Sequence, residues 1–166
     1  RARTAPERLR VRRLMIGFHE RASRFDEAIR LSFETLADVG VVLPGHDTVT
    51  ADDVEREIAA FLERFGRVDV VVEALPITES RIIREAIAML VAVAVPIWSA
   101  RPEALPLVLA RASVLSLDEG LAPASGVALV LLGSMLCIAQ GDSDTGIATA
   151  KLGLAVQQRM GHPDYE

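Results

Sequence analysis

Gly141-Asp142-Ser143-Asp144-Thr145-Gly146 opens a helix with acids and then places a glycine two positions after the second of them. Arg24-Phe25-Asp26-Glu27-Ala28 follows the same plan, with Ala28 as the small residue. Each passage comes after an apolar stretch that reads as a helix. A small residue just inside a helix lets a neighbouring helix approach closely, as stacked antiparallel pairs require. In the second passage Ala150 and Gly153 extend Gly146 at spacings of four and three, which makes a smooth stripe along a helix from Ser143 to about Met160. Gly161 and Pro163 end it. The two passages therefore predict an all-α chain of antiparallel helix pairs.

Composition agrees. The chain has 166 residues, enough for one domain with a real core. Apolar residues make up 51% and aromatics only 4%, so Ala, Leu, Val and Ile must fill the interior. A net charge of -5 argues against a general nucleic-acid binder, whose affinity comes from neutralising phosphates. Arg1, Arg3, Arg8, Arg10, Arg12 and Arg13 form a local basic cluster, interrupted by Glu7, that fits the wet face of a first helix. The single cysteine, Cys137, excludes an internal disulfide and lies in an apolar run where a buried, inert thiol is the usual case. No signal peptide is visible. The chain opens on Arg rather than Met, so a piece of a longer, cytoplasmic polypeptide is expected.

Working outward from the two passages, Ala5 to Ala22 reads as a helix with Leu9, Leu14, Ile16 and Phe18 near one side and Pro6 in its first turn. Phe25 to Val39 is the second helix, with Phe25, Ile29, Leu36 and Val39 apolar and Gly40 as its stop. Residues 41 to 47 contain Pro44 and Gly45 and form a linker. Thr50 is the expected N-cap of a third helix carrying Val54, Ile58, Phe61, Leu62 and Phe65, which closes near Gly66. Val68 to Val72 has strand propensity but no partner, so it reads as a connection.

A fourth helix spans Glu79 to about Val95. Pro96 and Pro102 then bracket a break that holds Trp98. Leu105 to Leu117 is the next helix, ended by Gly120 and Pro123. From Leu121 to Ala139 there is no charge, a length that could cross a bilayer. Acidic flanks and the diluting Pro123, Ser125, Gly126, Gly133 and Ser134 favour a central buried helix instead.

The passage from Ala5 to Pro44, closing in Leu36-Ala37-Asp38-Val39-Gly40-Val41-Val42-Leu43-Pro44, resembles a tetratricopeptide-type repeat followed by its exit. Together with Ala74-Leu75-Pro76-Ile77-Thr78, Leu117-Asp118-Glu119-Gly120 and Gly141-Asp142 with Gly146, it is similar to the helical-repeat region of large bacterial signalling proteins. In those proteins a serine/threonine kinase, a predicted AAA-type ATPase, helical repeats, a GAF domain and a sensor histidine kinase share one polypeptide. The resemblance covers nearly the whole chain. It implies an irregular tetratricopeptide-like αα-superhelix of about seven helices, one domain over residues 1–166. Ala28 and Gly146 lie too far apart for a regular 34-residue period, so the middle is irregular. No position matches the kinase or ATPase motifs of such a parent.

A direct search for chemistry finds no catalytic constellation. His19, His46 and His162 lack the spacing of a metal site, and the only lysine, Lys151, lies inside a helix rather than in a phosphate loop. Asp142 and Asp144, with Asp118 and Glu119, could suggest a cation site, but acids gather at helix starts for capping and dipole reasons. Trp98 is the one residue that could line a groove for an effector or partner, with a core anchor as the preferred reading. Ala28, Gly146, Ala150 and Gly153 are the helix-packing positions. No cofactor and no metal is expected.

The functional expectation is a non-catalytic scaffold and sensing segment. It would mediate contacts with flanking domains of its own polypeptide, with protein partners or with a small effector, in a signal-transduction kinase or ATPase. The alternative is a ligand-binding helical bundle of a transcriptional regulator, with its pocket near Trp98. Neither nucleic acid nor membrane is an expected partner.

Overall fold

Glycines decide how closely the last two helices approach. In the computed structural model, which describes residues 4–66, 72–139 and 141–161, α7 (Ser125–Ala139) and α8 (Ser143–Met160) form an antiparallel hairpin. Gly126 faces Gly153 and Gln157, while Gly133 faces Gly146 and Ala150. A Cβ on Gly153 would lie 2.7 Å from the Gly126 carbonyl oxygen, a distance that no side chain tolerates. The stripe Gly146, Ala150, Gly153 is thus a packing surface, met by a matching stripe on α7. The α8 N-cap is Asp142, whose carboxylate accepts from the Thr145 N–H at 3.1 Å.

At the other end α1 (Ala5–Arg21) pairs with α2 (Phe25–Ala37). Thr4 and Glu7 form a capping box at the start of α1. The tight reversal puts Ser23 in the left-handed region at φ 55°. Ala28 is fully buried at the start of α2. Ser32 and Thr35, polar residues on a buried face, donate to the carbonyls of Ala28 and Leu31 at 2.7 and 2.6 Å, which satisfies their hydroxyls without a partner from another helix. Gly40, at φ 86°, ends the segment as expected.

The middle departs from sequential pairing. α3 (Ala51–Phe65) opens on the expected Thr50 cap and buries Ile58 and Phe61, but its main partner is α6 (Leu105–Asp118) rather than either neighbour in sequence. Two ion pairs strap them together, Arg64 Nε to Asp118 at 2.7 Å and Arg111 to Glu57 at 2.5 Å. α6 also touches α4 (Arg81–Ala92) and α7, and it buries nine of its residues. It is the core of the domain. Leu107, Val108 and Leu109 meet Met89 and Leu90 of α4 and Leu129 and Leu132 of α7 in one continuous cluster.

Three expectations are corrected. The chain turns at Val93, and α5 (Ala94–Ala100) contains Trp98, so the break lies before Pro96 rather than around Trp98. Pro96 stands third in α5, where its missing N–H has no intrahelical acceptor to lose. On α1, Leu9 and Ile16 are buried, but Leu14 and Phe18 are 68% and 65% exposed, because Leu14 stands five positions after Leu9 and Phe18 nine, which turns both towards the opposite side. Cys137 is half-buried, pressed against Gly146 at the α7–α8 seam rather than sunk in the core.

The all-α class stands. The described residues hold eight α-helices, one of them the seven-residue α5, and two single 3-10 turns. α7 has 15 residues, short for a bilayer span, and its Leu131 and Ile138 are exposed. The one apolar stretch of 20 residues among those described is Arg81–Ala100, which covers α4 and α5, and Ile87, Met89, Leu90, Val93 and Ile97 within it are fully buried. Residues 68–71, His162, Pro163, Arg1 and Arg3 lie outside the described residues.

The segments Leu75 to Thr78 and Gly120 to Leu121, distant in sequence, meet at a single parallel bridge between Ile77 and Leu121. The Thr78 N–H donates to the Leu121 carbonyl at 2.9 Å, and the Leu121 N–H to the Pro76 carbonyl at 2.7 Å. Gly120, at φ 101°, permits the approach. Arg159 near the end of α8 donates to the carbonyls of Val72 and Leu75 at 2.5 and 2.6 Å and holds the same connection from the other side.

Candidate functional site

Where α3 begins, α7 ends and α5 leads into α6, the packing leaves an apolar groove of about 550 Å³. Val54 and Ile58 form one wall. Leu132, Met135, Leu136 and Ile138 of α7 form another, and Trp98, Pro102 and Pro106 close the third. The size is that of a small-molecule site. Trp98 is 61% exposed, so its indole belongs to the rim of the groove and not to the core. The core-anchor reading is thereby overturned: α5 is one short helix whose buried side is already filled by Ala94, Pro96 and Ile97.

The charged residues of the lining are Glu55 and Glu103, both exposed. No ion pair neutralises either among the described residues. The nearby cations are engaged elsewhere: Arg56 pairs with Asp53 at 3.0 Å, and Arg101 pairs with Asp26 at 3.0 Å while donating to the His46 carbonyl. The Thr50 hydroxyl is used by its own helix cap, donating to Asp53 at 2.7 Å and accepting from the Asp53 N–H. That hydrogen bond from Thr50, helped by its backbone N–H and by Arg56, holds the Asp53 carboxyl below its ordinary 3.8. The Asp142 carboxyl is likewise lowered by its hydrogen bonds from Thr145.

Two helix ends of opposite sign meet at the groove. The positive N-terminus of α3 carries Asp52 and Asp53 in its first turn. The negative C-terminus of α7, where Ile138 and Ala139 line the groove, has no basic residue in its last turn.

A second apolar surface lies on α1. Val11, Leu14, Met15 and Phe18 are all exposed and recur at helical spacing on the side away from Leu9 and Ile16. Arg8, Arg10, Arg12 and Arg21, exposed as expected of a wet face, flank that stripe. Arg13 instead reaches Glu85 of α4 at 3.4 Å.

The other residues singled out in the sequence serve structure. Asp118 accepts from Arg64, Asp142 caps α8, and Lys151 is exposed on α8. His46 packs edge-on against Phe33, and His19 against Phe18. Among the described residues, neither His19 and His46 nor these acids come together in one cluster. Sequence reading found Trp98 but missed Glu55 and Glu103. Their signal was faint, since a glutamate one residue past a Pro and another in the first turns of a helix look like ordinary solvated charges. No family model, no curated protein and no solved structure matches the chain.

Proposed function

We propose that this chain is a non-catalytic helical scaffold that mediates contacts between domains in a bacterial signal-transduction polypeptide of the kinase and ATPase type. One observation carries the reading: the apolar stripe Val11, Leu14, Met15 and Phe18 on the outward side of α1. Scattered exposed apolar residues need no explanation, but four in helical register on one face mark a contact surface. The flanking arginines suit an acidic amphipathic helix from a neighbouring segment of the same polypeptide. Co-purification of the chain with its flanking segments, and its loss in Leu14→Glu/Phe18→Glu, tests the reading. Unchanged association in that variant sinks it.

A second reading, a ligand-binding helical bundle of a transcriptional regulator, is favoured by the groove beside Trp98. In this reading a small effector enters between α3, α5 and α7 and alters how the helices pack. Titration of Trp98 emission against small apolar molecules tests it, and a uniformly silent signal rejects it.

A further inference from the structure

The groove differs from a generic apolar cleft in its charge, and that charge selects among ligands. We infer that it takes a hydrophobic cation: an apolar body bearing an ammonium or similar positive group. The inference rests on the ligand-binding reading of the groove.

The walls give the apolar half of the specificity. Ile58 and Leu136 reach the groove from the core, and Met135 adds an adaptable thioether side chain. The charged half follows by elimination. A neutral polar ligand would need fixed donors or acceptors, yet the Thr50 hydroxyl is committed to its capping box. An anion would meet two carboxylates, Glu55 and Glu103, and no lining cation. A cation meets both carboxylates and the exposed indole of Trp98, whose ring face attracts positive charge. The positive end of α3, which would repel it, is offset by Asp52 and Asp53 in the first turn. The charged side chains that line the groove therefore have one sign.

The test uses three probes that share one tail and differ in headgroup: octyltrimethylammonium, octan-1-ol and octyl sulfate, each below its micellar concentration. Trp98 is the only tryptophan of the chain, so its emission reports on the groove directly. Octyltrimethylammonium is expected to shift the emission and bind about tenfold more tightly than octan-1-ol, with octyl sulfate weakest. Glu55→Gln/Glu103→Gln, two isosteric changes at exposed positions, is expected to remove most of that tenfold preference and leave octan-1-ol binding unchanged. Added salt should weaken the cation alone. Equal binding of cation and alcohol, tighter binding of the sulfate, or a preference that survives the double substitution overturns the cation assignment while leaving the groove as a binding site. Silence from all three probes overturns the groove reading as well.

Discussion

Gly133 and Gly146 face each other across the α7–α8 seam so closely that a Cβ built on Gly133 would stand 2.5 Å from the Gly146 carbonyl oxygen, and one built on Gly146 would stand 2.7 Å from the Gly133 oxygen. Neither backbone can yield without moving a whole helix. The seam also carries Gly126 against Gly153, so contact extends over about two turns on each side.

Gly133→Ala or Gly146→Ala should therefore destabilise the domain by about 2–3 kcal/mol, since overpacking a close helix contact costs more than the better helix propensity of alanine returns. Gly17→Ala is the control. Gly17 lies within α1 with no atom within 4 Å of an added Cβ apart from its chain neighbours and its own helix backbone, so alanine there should stabilise by about 0.5–1 kcal/mol. Urea unfolding of the three variants checks the opposite signs.

Gly120 faces two demands at once. Its φ of 101° disfavours any side chain, and an added Cβ would lie 2.8 Å from the Thr78 nitrogen, whose N–H donates to the Leu121 carbonyl. Gly120→Ala should cost about 2 kcal/mol or more and raise amide exchange at Thr78 and Leu121, the two donors of the bridge. Normal protection at both amides in a folded variant would show that the approach does not depend on glycine.

The Arg111–Glu57 pair holds α3 onto α6, with the Glu57 side chain only 13% exposed. Arg111→Met alone leaves that mostly buried carboxylate unpaired, at a cost of about 1–3 kcal/mol. Glu57→Leu/Arg111→Met should recover part of the loss, because the apolar replacements remove the stranded charge. A double-mutant cycle by chemical denaturation measures the coupling, and a double variant weaker than the sum of the two single ones would refute this account.

Two helix caps link stability to pH. The Asp53 and Asp142 carboxyls are held below their ordinary 3.8 by hydrogen bonds to the ionised form. A group with a lowered folded value contributes stability that is present above its unfolded value and lost as pH falls through the folded one. Stability should thus decline as pH drops below about 4, and Asp53→Asn should show a shallower decline there with α3 still formed. Chemical denaturation across pH 2.5 to 6 measures both slopes.

Helix starts were legible because caps are local. Thr50 with Asp53, and Asp142 with Thr145, satisfy backbone donors within three residues, so the sequence neighbours already contain the whole interaction. The amphipathic face of α3 was legible too, since Ile58 and Phe61 follow the helical period. The single break around Trp98 was misplaced to the prolines, because Pro96 is harmless in the first turn of α5 and the chain bends at Val93.

Packing partners are another matter. Nothing within α3 indicates that it lies on α6, since the Arg64–Asp118 and Arg111–Glu57 pairs each join residues 54 positions apart. Exposure of Trp98, Leu14 and Phe18 depends on which neighbours arrive, not on their own periodicity.

By itself, then, the amino-acid sequence determined an all-α chain, its capped helix starts and the small-residue stripe Gly146, Ala150, Gly153, because propensity, capping and close approach are set by residues a few positions apart. Only the tertiary structure decided that the matching stripe is Gly126 and Gly133, that α6 is the core and that a groove with carboxylates of one sign opens beside Trp98. Those features join side chains from helices that meet only after the chain has folded.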